Sequence, residues 1–253
     1  MKILAVMNQK GGVGKTTTTL NFSHALSQND RKILLIDADP QGHLGNCYGI
    51  ADNISSGLDE VLLSGDAISH HLKPVRENVD ILPAGIRLGE METKSQTGAN
   101  RGYRLHDALA LEKNQTDYDY VIIDCPPASG LLAMNALLAA DEILIPVTGD
   151  YLALQGLSRL IKVVRNIEKR LQRQTKKHFV LTRFYERRRL ANQIKQKIIQ
   201  HFPNQVLKSV IRENVSLAES PGFGKSIFEY RPKSHGAEDY SNLAKDYLEG
   251  NYY

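Results

Sequence analysis

Short apolar runs alternate along the chain with longer segments in which apolar residues recur every three or four positions. Lys2–Met7, Lys32–Ile36, Val79–Leu82, Tyr118–Ile123, Glu142–Val147, His178–Arg183 and Val206–Ile211 read as strands, and most stretches between them as helices. Strands so continuous in apolar residues are those buried on both faces. The pattern therefore predicts an α/β fold with a mostly parallel central sheet and helices on both faces. No internal repeat or low-complexity linker interrupts it, and 253 residues with 42% hydrophobic content suit one unit over residues 1–253 with a single large core. The least regular region, Gly42–Arg101, is rich in Gly, Ser, Asn and charge, and is expected to form surface insertions with weak helices beside a ligand site.

The first strand breaks into Asn8-Gln9-Lys10-Gly11-Gly12-Val13-Gly14-Lys15-Thr16-Thr17 before a helix-compatible segment. A strand, a glycine-rich turn and a helix in this order form a phosphate-binding loop. Gly11, Gly12 and Gly14 let backbone N–H groups turn inward around phosphate oxygens, Lys15 can reach the terminal phosphates, and Thr16 offers a hydroxyl to Mg²⁺. The pattern G-x-x-x-x-G-K-[ST] is met only in a deviant Walker A form, because Gln9 stands where the first glycine belongs. The loop also carries a second lysine, Lys10. Two lysines five positions apart repel each other unless something strongly anionic lies between them, and a triphosphate, either the loop's own or that of a neighbouring subunit, answers that need.

Two further segments carry carboxylates at strand ends. In Ile33-Leu34-Leu35-Ile36-Asp37-Ala38-Asp39-Pro40 the strand period puts Asp37 and Asp39 on one face, where an open α/β sheet presents ligands. Asp119-Tyr120-Val121-Ile122-Ile123-Asp124 has the shape of a Walker B strand ending near Mg²⁺ in Asp124. Cys125 and two prolines follow it in place of a catalytic glutamate, which predicts slow hydrolysis.

The spelling KGGVGKTT resembles that of the ParA/MinD family of dimerising P-loop ATPases, and the resemblance runs through Leu181-Thr182-Arg183-Phe184, the block Asn214–Gly222 and the block Tyr230–Glu238. It implies ATP and Mg²⁺ as cofactors, with Lys10 as a signature lysine that reaches the ATP of the partner in a homodimer. Carried over by position, Asp37 supports Mg²⁺ together with Thr16 and Asp124, and Asp39 orients the attacking water. Lys10, Gly11, Gly12, Val13, Gly14, Lys15, Thr16 and Thr17 hold the nucleotide, and Arg183 meets the adenine. Small ParA members of the Soj type bind double-stranded DNA nonspecifically as ATP dimers and are reset by a ParB-like partner that stimulates hydrolysis.

Charge is unevenly spread. The net balance of Lys and Arg over Asp and Glu is −6 for residues 1–149, +12 for 150–215 and −2 beyond, within an overall +4. Arg159, Lys162, Lys169, Arg173 and Lys176 recur at helical spacing and predict a basic stripe suited to phosphate backbones, joined by Arg187, Arg188 and Arg189. One departure from the family bears on DNA: Glu213-Asn214-Val215-Ser216 lacks the basic residues of chromosomal relatives, so the stripe is expected to substitute for them.

Other classes fit less well. No apolar run approaches the roughly 20 residues that span a bilayer, and no signal-like segment precedes the loop. Residues 236–253 are acidic, unlike the basic amphipathic tail a MinD-like membrane ATPase needs. Cys47 and Cys125 have neither disulfide nor cluster spacing, against an iron–sulfur ATPase and for a reducing, cytoplasmic compartment. The first strand begins at residue 2, so the helix-turn-helix domain of some plasmid ParA proteins is not expected. A cytoplasmic, nucleoid-associated ATPase without membrane contact is the expectation, its cargo unspecified.

Overall fold

The computed structural model describes residues 1–93, 100–113, 116–127 and 130–253, save the side chains of Ala51 and Leu152. Eight strands appear among them: β1 (Lys2–Val6), β2 (Ile33–Asp37), β3 (Lys73–Arg76), β4 (Val79–Leu82), β5 (Tyr120–Asp124), β6 (Glu142–Thr148), β7 (Lys176–Phe184) and β8 (Val206–Arg212). They form one sheet in the order β3-β4-β2-β5-β1-β6-β7-β8, parallel throughout except for β3, which runs antiparallel to β4. The helices are α1 (Lys15–Ser27), α2 (His43–Cys47), α3 (Leu58–Leu63), α4 (Glu90–Thr93), α5 (Arg104–Glu112), α6 (Leu131–Ala139), α7 (Tyr151–Leu171), α8 (Arg189–His201), α9 (Val215–Glu219), α10 (Ile227–Tyr230) and α11 (His235–Glu249).

The pleat explains why the strands read as unbroken apolar runs. Alternate residues feed two separate cores: Ala5, Leu34, Ile36, Val121, Ile123, Ile143 and Ile145 on one face, and Leu4, Val6, Ile33, Leu35, Ile122 and Leu144 on the other. Helices α3, α5, α6, α7 and α8 cover the first face, and α1, α2 and α11 the second. The helix α1 begins with four threonines in its first turns, a poor helical sequence in isolation. Burial under the sheet compensates: Leu20, Phe22 and Leu26 are fully enclosed, and the Thr18 hydroxyl meets the Tyr240 hydroxyl of α11 at 3.2 Å.

Two expectations are corrected here. The region Gly42–Arg101 supplies β3 and β4 to the sheet and puts Leu58, Leu62, Leu82, Leu88 and Met91 into the core, so it is not a set of surface insertions. The basic stripe does not run as one helix from Arg159 to Lys176. Helix α7 stops at Leu171 because Gln172 turns left-handed (φ 50°), after which Arg173 donates to the carbonyls of Ala140 (2.7 Å) and Leu138 (3.5 Å) at the end of α6. Lys176 opens β7, its ammonium 5.6 Å from the centre of the Tyr252 ring.

At the edge of the sheet, the segment Asn251–Tyr253 lies along β8. Tyr252 bridges Leu207 in antiparallel fashion, the Tyr253 N–H donates to the Val206 carbonyl (2.9 Å), and the Tyr253 carbonyl accepts from Asn204 (2.9 Å). A polar cluster under the sheet fixes the same segment. Nε2–H of buried His178 donates to Glu142 (2.8 Å), Nδ1 accepts from the Tyr252 hydroxyl (2.9 Å), and the Tyr247 hydroxyl also donates to Glu142 (2.7 Å). This neutral tautomer satisfies every partner.

Candidate nucleotide site

The loop between β1 and α1 lies at the carboxyl ends of the central parallel strands, where open α/β sheets take their ligands. Gly12 (φ 72°) and Gly14 (φ 88°) sit in the left-handed region that only glycine enters freely, and Gly14 caps α1. Two side chains hold its shape. Asn8 donates to the Pro146 carbonyl (2.7 Å) and accepts from the Lys10 N–H (3.0 Å). From β7, the hydroxyl of Thr182, 2% exposed, donates to the Val13 carbonyl at 2.8 Å.

Two clefts flank the loop. One of about 530 Å³ is lined by Gly11, Gly12, Gly14, Lys15, Thr16 and Thr17 on one side and by Asp39, Pro40, Gln41, His43, Glu92, Pro126 and Pro127 on the other. The second, about 480 Å³, shares Gly12, Gly14 and Thr17 and is walled by Thr182, Arg183, Arg212, Glu213, Asn214, Val215 and Tyr240. Together they open on either side of one loop. Arg183 stands in the second with a left-handed backbone (φ 49°), its guanidinium 3.2 Å from Glu213.

Behind the first cleft, Asp37 and Asp124 are neighbours across β2 and β5 and both fully buried. Asp124 accepts from Thr16 (2.7 Å) and Thr19 (3.2 Å). Burial raises its carboxyl to about 6 against the opposing pull of the Thr16 hydroxyl and the Lys15 ammonium. Asp37 is raised well above the ordinary range, first by burial and then by Asp124. Asp39 lies two residues beyond the end of β2, and its charge adds to the rise. Asp37 accepts from the backbone N–H groups of Asp39 (3.2 Å), Leu44 (3.0 Å) and Gly45 (3.4 Å), so its oxygens tie down the turn and the start of α2, where unpaired N–H groups attract a carboxylate. Asp39 lines the cleft itself.

Lys10 does not point into free solvent. Its ammonium lies 2.6 Å from both oxygens of Asp150, the residue that caps α7. Thr182 lies in the block Leu181–Phe184 that carries the family resemblance, but neither its contact with the loop nor that of Asp150 is legible in the sequence, and Glu92 is equally hidden. From α4, Glu92 accepts the N–H groups of Leu131 and Leu132 (both 2.9 Å), capping α6 from across the cleft. On α7, Arg159, Lys162, Arg165, Lys169 and Arg170 are exposed, as are Arg187, Arg188 and Arg189 at the start of α8. Both thiols are buried, and burial pushes Cys47 up to about 12 and Cys125 up as well, which leaves neither as a thiolate.

A mostly parallel sheet, a left-handed glycine loop at the head of α1, and a hydroxyl–carboxylate pair behind the cleft define a P-loop nucleotide-binding protein. A family model described as "AAA domain" matches residues 1–177. The chain is 42% identical over 248 residues to the sporulation initiation inhibitor protein Soj of Bacillus subtilis (strain 168), covering 97% of both proteins. It is 40% identical to the chromosome partitioning protein ParA of Myxococcus xanthus (strain DK1622), over 98% of this chain and 88% of that protein. Among solved structures, cobyrinic acid a,c-diamide synthase from Mycobacterium smegmatis with bound ADP and magnesium is similar at 31% identity with a TM-score of 0.82, covering 98% of this chain and 94% of that one. The chain belongs to the ParA/MinD family of P-loop ATPases.

Proposed function

We propose that the protein is an ATP-dependent dimerising ATPase of the ParA type. In its ATP state it binds DNA without sequence preference and positions or segregates a cargo, with residues 1–253 acting as one unit in the cytoplasm at the nucleoid. The observation that carries this reading is Lys10: a second lysine beside a complete phosphate loop, with a partly exposed side chain. Its own loop already has Lys15 for the phosphates, so a nucleotide presented by a second copy gives Lys10 its use.

The residues present fit ATP and Mg²⁺. The Thr16 hydroxyl and the Asp124 carboxylate, 2.7 Å apart, are the hard oxygen donors that Mg²⁺ prefers. When bound, Mg²⁺ neutralises charge on the terminal phosphate oxygens. The backbone N–H groups of Gly11–Thr17 and the Lys15 ammonium bind the phosphates, and Arg183 borders the base. Of the two carboxylates described along the cleft, Glu92 is occupied in capping α6, which leaves Asp39 to accept a proton from, or orient, the attacking water. Asp37 holds the turn that carries Asp39. With Cys125 following Asp124, no second carboxylate is supplied from that strand, which suits slow hydrolysis accelerated by a ParB-like partner.

For DNA, the supporting feature is the exposed basic surface of α7 and the start of α8, with Arg159, Lys162 and Lys169 at its centre. No described helix is long and apolar enough to cross a membrane. The deciding experiment is binding to nonspecific duplex DNA with ATP, with ADP and without nucleotide, over a salt series. Tight binding with ATP alone, weakening steeply as salt rises, supports the proposal. Equal binding in all three states, or none, overturns it. Replacing Arg159, Lys162 and Lys169 by Glu is expected to weaken DNA binding at least tenfold while leaving ATP-driven dimerisation intact.

A further inference from the structure

Resting on the dimerisation reading, we infer that Asp150 is a positioning residue for Lys10: it holds the lysine within its own protomer until the nucleotide phosphates of a second copy displace it. The ammonium of Lys10 is shared evenly by the two Asp150 oxygens at 2.6 Å. The backbone of Lys10 is separately anchored through its N–H to Asn8 (3.0 Å), so the loop can stay fixed while the side chain moves. Both partners are partly exposed, 30% and 46%, and within reach of an incoming anion.

What remains after Lys10 departs explains why the exchange is easy. Asp150 also accepts from the Thr148 hydroxyl (2.6 Å) and from the Ala153 N–H (3.1 Å) in the first turn of α7. The carboxylate keeps two hydrogen bonds and its place at a helix N-terminus, which stabilises negative charge. It is therefore not orphaned when the lysine leaves. A triphosphate offers Lys10 several charges in place of one, so exchange runs toward the dimer when a nucleotide with its terminal phosphate is present. ADP offers fewer charges, and the internal pair competes better. The same carboxylate caps the helix that carries Arg159, Lys162 and Lys169, so the exchange takes place at the root of the basic surface.

The pair is a half-exposed one, for which a weight of about threefold in an equilibrium is typical. A symmetric dimer breaks two such pairs, so removing the charge is expected to tighten dimerisation about tenfold. The test is sedimentation of wild type, Asp150→Asn and Asp150→Ser, with Mg²⁺ and a non-hydrolysable ATP analogue titrated against protein, and with ADP as a second arm. Asn and Ser both retain an oxygen that can cap α7, so a gain in dimerisation reports the lost charge and not a damaged helix. Dimerisation about tenfold tighter in both variants, with more dimer in ADP than wild type shows, is the expected result. A wild type that dimerises while both variants match it or fall below it overturns the role of Asp150 alone. A wild type that remains monomeric at saturating nucleotide overturns the dimerisation reading, and this inference with it.

Discussion

Thr182→Val tests whether β7 shapes the phosphate loop. Valine has nearly the outline of threonine, so the substitution leaves the packing of β7 largely intact and deletes one hydrogen bond, the 2.8 Å contact from a hydroxyl that is 2% exposed to the Val13 carbonyl. A buried acceptor deprived of its donor costs about 1–3 kcal/mol. For a chain of this size, about 1.5 kcal/mol lowers Tm by about 3–6 °C. The Val13 carbonyl belongs to the loop that must present its N–H groups to phosphate. Up to the whole of that energy can therefore appear as lost preorganisation, weakening ATP binding by as much as about tenfold. Thermal unfolding together with calorimetric titration of ATP separates the two effects. Thr182→Ser, which retains the hydroxyl and loses the methyl, is expected to restore most of the affinity while remaining somewhat destabilised. If Thr182→Val binds ATP as wild type does, β7 does not preorganise the loop and the argument is wrong.

Lys15→Ala is expected to abolish measurable ATP binding, and unchanged affinity in the same titration would remove the loop assignment. Asp39→Ala is expected to bind ATP and dimerise but to turn over at least a hundredfold more slowly, read by phosphate release; normal turnover would take Asp39 out of the mechanism. Stability is expected to fall on acidification in two windows. Burial holds His178 below its ordinary value, so below about pH 6.5 the unfolded chain takes up a proton that the folded one resists. Glu142 is lowered to about 2: although burial pushes it up, the His178 and Tyr247 hydrogen bonds pull it down further, so its contribution, full above about pH 4.5, is lost as pH falls toward 2. Denaturant unfolding of wild type and His178→Gln from pH 8 to 4 checks the first window, and a variant with the same slope as wild type would count against it.

What could be read in the chain was what is local. The phosphate loop, Asp39 and the strand ending in Asp124 are contiguous signals, and strand periodicity located every parallel strand to within about two residues. β3 escaped because Lys73-Pro74-Val75-Arg76 has one apolar β-former and a proline, and is a strand only because β4 lies beside it. The end of α7 escaped because Gln172 is not a residue that advertises a left-handed turn, and Arg173 finds its carbonyls on a helix some 33 positions earlier. The residues that support the site were invisible for the same reason. Thr182 lies 169 positions from Val13, and Asp150 lies 140 from Lys10. No spacing rule spans such gaps; only the sheet order brings them together.

The segment Asn251–Tyr253 has a further consequence for how copies of this protein can meet. An open sheet ends in strands whose unpaired N–H and C=O groups invite a neighbour's strand, and such pairing, once made, is slow to undo. Here Tyr252 and Tyr253 occupy hydrogen-bonding positions along β8, and the opposite margin is the four-residue β3, interrupted by Pro74 and an irregular register between Pro74 and Arg76. Both margins of the sheet are poor templates for strand addition. The dimerisation proposed above then has no competitor in strand exchange at these margins, and rests on charge and a small ligand at the loop-bearing end of the sheet.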